Sequence, residues 1–190
     1  MVPSADAIRD VRERFDIGDR KYVIYPAITH PHKGHEVLIE MLSQLDTVLV
    51  LIGGQGTAEA GLRKKTDELG VSGRVIRPGR VSADDRDALV AGAETLVFPS
   101  RYEGFGAPLI EAMAFGIPVV CGDQTAIREV VADAALVVED SSPEAWAAAV
   151  NEVDLQRDRL IAAGLERRKA FTQQVSGAAL NAAYRQAVSR

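Results

Sequence analysis

Two carboxylates with seven residues between them, Glu103 and Glu111, stand either side of a glycine-punctuated turn in VFPSRYEGFGAPLIEAMAFGIPVVC, residues 97–121. Gly104 and Gly106 would let backbone N–H groups come close to a ligand. Pro108 fits the first turn of a helix, where its missing N–H costs nothing. A helix opening here offers free N–H donors and a partial positive charge, which favours phosphate. Glu111 then falls about one turn into the helix, roughly 5.4 Å along its axis. Amides for a diphosphate with carboxylates for hydroxyls is the chemistry of a sugar-nucleotide site. The same residues could instead cap a helix and solvate a surface, and residue types alone leave that choice open. One acid in a loop and one on a helix does not define a pair flanking a glycosidic bond.

His30, His32, Lys33 and His35 form a second cluster. It has no cysteine or acidic partner at a familiar zinc spacing, so no metal site is expected. Lys33, directly before Gly34 and a helix, reads as a phosphate ligand acting as a point charge. The glycine loop GGQG (53–56) lacks the G-x-G-x-x-G dinucleotide spacing, and no G-x-x-x-x-G-K-[ST] loop occurs anywhere. Arg77 and Arg80 flank Pro78–Gly79 and are read as solvent-facing. Cys121 is read as a small buried hydrophobe and Trp146 as packing. Arg157, Arg159, Arg167, Arg168 and Lys169 make a basic stretch, read as a solvated helix face with little support for membrane association.

The elements that must carry these groups alternate. Short β-branched and apolar runs predict strands at KYVIYPA (21–27), TVLVLIGG (47–54), RVIRPG (74–79), ETLVFPS (94–100), IPVVCG (117–122) and ALVVED (135–140). Helices are predicted over 4–16, 36–45, about 57–70, 82–93 and 124–133, from Pro143 onward, and through most of 155–188. The helix over 4–16 has a thin apolar face and is expected to pack on something larger. Near-continuous apolar strands between helices predict an α/β fold, a Rossmann-like three-layer sandwich with a mostly parallel sheet. In such sheets ligands bind beyond the carboxyl ends of the strands, where most of the glycine loops fall.

At 190 residues the chain is long enough for one well-packed domain. The net charge of −5, with basic residues interspersed among acids, gives no sign of a nucleic-acid partner. The single cysteine rules out an internal disulfide and fits a reducing compartment. No apolar run reaches the roughly 18 residues that span a bilayer. The expected setting is soluble and cytoplasmic.

The run FPSRYEGFGAPLIEAMAFGIPVV closely resembles the signature of the retaining GT-B glycosyltransferases of family 4, glycosyltransferase group 1. Glu103 and Glu111 match the family's E-x7-E element, and the likeness extends to HKGHEVLIEML, LVLIGGQG, RVIRPGRVS and FTQQVSGAALNAAYRQAV. It covers the chain from about residue 20. The resemblance implies that residues 1–190 are a single nucleotide-sugar-binding domain, the C-terminal half of a GT-B fold, whose partner is an N-terminal acceptor-binding domain absent from this chain. The first helix would be the piece arriving from that partner. It implies further that Glu111 takes the ribose hydroxyls and Glu103 the donor sugar. Lys33 and the amides of Gly104, Phe105 and Gly106 would hold diphosphate and sugar, with the loop around Pro78 bordering the base and Gly54 counted among the donor-binding residues. The implied enzyme is a retaining hexosyltransferase using a UDP-sugar or GDP-sugar and no other cofactor, inactive as an isolated half.

Two departures stand out. The family carries an arginine a few residues before the lysine, where this chain has Ala27 and Ile28. Diphosphate neutralisation is then expected from Lys33 and the helix N-terminus, with help from Thr29 or His30. The aromatic usual after F-[ST] is replaced by Gln173. The missing arginine supports an alternative, a non-catalytic nucleotide-sugar-binding or interaction module that keeps the fold.

Overall fold

A computed structural model of the chain describes residues 2–188. Six short strands, β1 (Tyr22–Pro26), β2 (Val48–Ile52), β3 (Val75–Gly79), β4 (Thr95–Phe98), β5 (Val119–Gly122) and β6 (Leu136–Val138), make one sheet in the order β3-β2-β1-β4-β5-β6. Every neighbouring pair is parallel. This is the doubly wound order, in which the chain moves outward from β1 in one direction and from β4 in the other. Successive strand side chains alternate faces, yet Tyr22, Val23, Ile24 and Tyr25 are all buried, so helices cover the sheet on both sides. The predicted α/β class and parallel sheet are therefore present.

The helices are α1 (Ala5–Arg14), α2 (His35–Met41), α3 (Glu59–Glu68), α4 (Ala83–Ala91), α5 (Ala107–Ala114), α6 (Thr125–Val131), α7 (Pro143–Arg167) and α8 (Gln173–Val188). The thin helix α1 packs on α4. It buries Val11, while Arg12 donates to the carbonyls of Gly18, Gly92 and Arg20 and lies over the Tyr22 ring. Ser82 caps α4 by accepting from the Asp85 amide at 3.1 Å, and Asp85 in turn holds Arg14 through two hydrogen bonds. Ser82→Ala is expected to lower stability by about 1 kcal/mol, the usual worth of such a cap, in urea melts.

Three details differ from the expectation. The helix expected over 36–45 ends at Met41, and its last residues tighten into i→i−3 bonds from Leu42, Ser43 and Gln44. The helix opened by Pro143 runs unbroken to Arg167. Gly164 within α7 is explained by closeness to α5, because a Cβ there would come within 3.0 Å of Met113. The basic stretch is a solvated face only in part: Arg159, Arg168 and Lys169 are exposed, while Arg157 and Arg167 are half-buried. Arg167 donates to the Val130 and Glu129 carbonyls at the end of α6, Arg159 to the Asp133 carbonyl, and Arg157 pairs with Glu94 at 2.8 Å. Orphan carbonyls at a helix end are good acceptors, and a long arginine can reach them across the fold. Among the described residues no helix is long and apolar enough to cross a membrane.

Candidate functional site

Strand order brings the loops after β1 and β4 side by side, at the point where the two halves of the sheet diverge. The loop after β1 makes a short 3-10 turn, Pro31–Lys33, and then Gly34 adopts a left-handed conformation with φ of 69° before α2 begins. From below, the Tyr25 hydroxyl donates to the Lys33 carbonyl at 3.0 Å. From the side, the Arg101 amide donates to the His32 carbonyl at 2.8 Å. Gly34 itself lies against the Pro99 backbone. The turn carrying Lys33 is thus held on both flanks by buried or main-chain groups.

Across this junction the Lys33 ammonium meets the Glu103 carboxylate, with Nζ to Oε1 at 2.6 Å. Both side chains are mostly covered, at 18 % and 15 % exposure, so the pair is screened less than a surface ion pair. Seventy residues separate the two in sequence. Directly after Glu103 the chain reaches Gly104, which has nothing within 4 Å of a built Cβ, and then Phe105 and Gly106. Gly106, with φ of 90°, is the N-cap residue of α5 and packs on Ile127 and Leu109. Pro108 falls in the first turn as predicted. The Phe105 ring leans edge-on against Phe171 at 5.5 Å and so anchors the loop to the segment after α7.

Glu111 sits on α5 and is half-buried, 3.9 Å from the Arg86 guanidinium on α4. Arg86 also donates to Asp87. It forms one wall of a cleft of ≈ 400 Å³ beyond the carboxyl ends of β1, β2 and β3. Ile28, Ile52 and Val81 supply apolar lining, and Gly54 and Arg80 complete the mouth. Gly54 is therefore at the cleft. Pro78 is not among the residues lining it. It lies half-buried in the edge strand β3, where a residue without an N–H is tolerated.

Arg77 and Arg80 part company. Arg77 turns inward, donates to Thr66 Oγ1 at 3.1 Å and lies 3.7 Å from Glu59, with both side chains nearly covered. The solvent-facing expectation fails for Arg77 because the pleat of β3 sends successive side chains to opposite faces. Arg80 keeps an exposed side chain at the rim of the cleft.

Thr29 and His30 are both engaged by the loop that follows β2. Thr29 is buried, and its hydroxyl accepts from the Gly56 amide at 2.7 Å, latching the GGQG loop to the loop after β1. His30 Nδ1 lies 3.3 Å from Thr57 Oγ1 and the ring stacks on His32. His35 is buried against the Tyr25 ring, with centroids 4.8 Å apart, and neither ring nitrogen reaches a hydrogen-bond partner. Burial lowers its pKa to about 4, against a weaker upward pull from the Ala27 carbonyl, so it is neutral at pH 7. Among the described residues no three His, Cys, Asp or Glu side chains gather as a metal ion requires. Cys121 is fully buried, and burial pushes its thiol up to about 12, consistent with the packing role expected of it. Sequence reasoning missed Tyr25 and Arg86. Tyr25 carried one signal, a hydroxyl at the carboxyl end of an otherwise apolar strand.

The family model described as "Glycosyl transferases group 1" matches residues 8–184. The chain belongs to this family. Among its relatives is the O-antigen chain mannosyltransferase B of Escherichia coli, 32% identical over 171 residues that make up 85% of this chain and 45% of the relative. Another is a GDP-mannose-dependent alpha-(1-6)-phosphatidylinositol monomannoside mannosyltransferase of Mycobacterium tuberculosis, 32% identical over 186 residues, covering 90% of this chain and 48% of that protein. Sucrose-phosphate synthase from Thermosynechococcus elongatus superposes with a TM-score of 0.85 at 25% identity, over all of this chain and 50% of its own. The chain spans about half the length of the curated relatives it matches. It has the Rossmann-like fold of one half of a GT-B glycosyltransferase. The Lys33–Glu103 contact and the opening of α5 lie in the matched region.

Proposed function

We propose that this chain is the donor-binding, C-terminal half of a glycosyltransferase that moves a sugar from a nucleoside diphosphate sugar to an acceptor with retention of configuration. The observation that carries this is the meeting of Lys33 and Glu103 beside the open N-terminus of α5. A leaving diphosphate gains negative charge as the glycosidic bond breaks, and fixed positive charge aimed at it lowers the barrier most. Lys33 and the amides of Gly104 to Ala107 supply that charge. Glu103, once the diphosphate takes its place at Lys33, turns to the hydroxyls of the donor sugar and fixes the ring. Glu111, within reach of Arg86 at the cleft, takes the ribose hydroxyls. The nucleoside then lies over the carboxyl ends of β1 to β3. The acceptor is brought by the other half of the enzyme.

Calorimetric titration with GDP, UDP and ADP tests the reading. At least one nucleotide is expected to bind with submillimolar Kd, and Glu111→Ala should weaken it at least about tenfold, the value of a charge-assisted hydrogen bond to ribose. No heat with any of the three overturns the proposal. The chain alone should transfer little or no sugar. When it is joined to its acceptor half, the product's anomeric configuration, read by NMR, should match the donor's. The missing guanidinium at Ile28 favours a second reading, a module that binds donor without turnover; a joined enzyme that binds nucleotide yet transfers nothing would establish it.

A further inference from the structure

The cleft beyond β1, β2 and β3 has an unusual balance of partners. Its apolar surface comes from side chains such as Ile28, Ile52 and Val81, which suit a flat heterocycle better than a diphosphate. Its charged lining is two arginines, Arg80 and Arg86. Arg86 is already engaged by Asp87, with Glu111 at 3.9 Å. Arg80 has no ion pair and no hydrogen bond among the described residues, and its guanidinium hangs over Gly54, with Nε 3.0 Å from a Cβ built there. Of the three acids on α4, Asp85 is held by Arg14 and Asp87 by Arg86, while Asp84 does not line the cleft. The one uncommitted side chain at the rim is therefore a pure hydrogen-bond donor with a fixed fork of N–H groups.

We propose that the donor's base is guanine and that Arg80 reads it. This rests on the assignment of the site to a nucleoside diphosphate sugar. A guanidinium fork needs two adjacent acceptors. Guanine presents O6 and N7 side by side, the pairing that arginine recognises bidentately. Adenine sets an amino group beside N7, so one donor of the fork would face another donor. Uracil offers O4 next to an N–H, again one acceptor where two are needed. The apolar lining accepts any base face, so discrimination falls to Arg80.

The test is calorimetry on the chain and on Arg80→Met and Arg80→Lys, each titrated with GDP, ADP and UDP. GDP is expected to bind about tenfold or more tightly than ADP or UDP, and both variants should lose about tenfold for GDP alone. Arg80→Lys keeps the charge but not the fork, so it should fail as Arg80→Met does. Arg80 is exposed and unpaired, so thermal melts of the variants should match the parent's. Three outcomes overturn the proposal: equal binding of the three nucleotides, preference for UDP or ADP, or a variant that weakens all three alike, which would put Arg80 on the phosphates. In each of these the nucleotide-sugar reading still stands. Only silence with all three nucleotides removes both.

Discussion

Gly34→Ala is expected to destabilise the protein by more than about 3 kcal/mol and to abolish nucleotide binding. Two separate costs meet at this residue. Its φ of 69° lies in the left-handed region, where an L side chain costs about 1–2 kcal/mol. A Cβ would also sit 2.4 Å from the Pro99 carbonyl oxygen and 3.2 Å from the Pro99 carbonyl carbon and Cβ. No real Cβ contact is that short. The obstacle is main chain, which cannot rotate away as a side chain can. Relief requires moving the loop after β4, and that loop carries Glu103. Thermal melts should show a drop on the order of 10 °C for a chain of this size. Two control substitutions separate the costs. Gly18→Ala has the same sign of φ but open space around it, and should lose only about 1 kcal/mol. Gly104→Ala meets nothing and should melt like the parent. A Gly34→Ala melting point within a few degrees of the parent would mean that the two loops are not locked together as described.

Acidification from pH 6.5 to pH 4 should remove about 3 kcal/mol of stability through His35 alone. The ring is buried and its pKa falls to about 4, chiefly through loss of solvent. The charges of Arg77 and Lys33 push it further down, while the Ala27 carbonyl and Glu59 pull it up. In the unfolded chain the same imidazole titrates near its ordinary value of about 6.5. Below that pH the unfolded state takes up a proton that the native state refuses, so stability falls as pH falls. The loss is complete once pH drops below the folded value of about 4. Urea melts at pH 7.5 and 4.5, run on the parent and on His35→Phe, isolate the effect. Other carboxylates titrate in both proteins, so the difference between the two slopes belongs to His35. The phenyl ring keeps the contact with Tyr25 and removes the titration. Equal acid sensitivity in the two proteins would show that the imidazole is solvated after all. His35 directly follows Gly34 and lies two residues from Lys33, so its protonation would also loosen the turn that presents the ammonium.

Most of the local structure was legible in the residues. TVLVLIGG could only be a strand covered on both faces, because no face of it is polar. Ser82 before two acids and an apolar run marked a helix start, and the serine caps it as expected. GFGAP announced a tight turn into a helix for reasons of backbone freedom alone, and Glu111 followed from helix geometry. The likeness of residues 97–121 to a glycosyltransferase signature likewise needed no coordinates. Each of these follows from interactions within a few residues, which periodicity and capping residues record directly.

What residue order could not decide is which loops become neighbours. Lys33 and Glu103 meet only because β1 and β4 pair at the centre of the sheet, and strand pairing is settled by packing across the whole chain rather than by any local run. Thr29 as the latch of the GGQG loop depends on the same pairing, between β1 and β2. Arginines were the residues least readable from sequence. Arg77, Arg80, Arg157 and Arg167 look alike in a string of letters. Their side chains are long enough to reach an ion pair, a helix end or an open cleft, and only the fold determines which acceptor lies within reach.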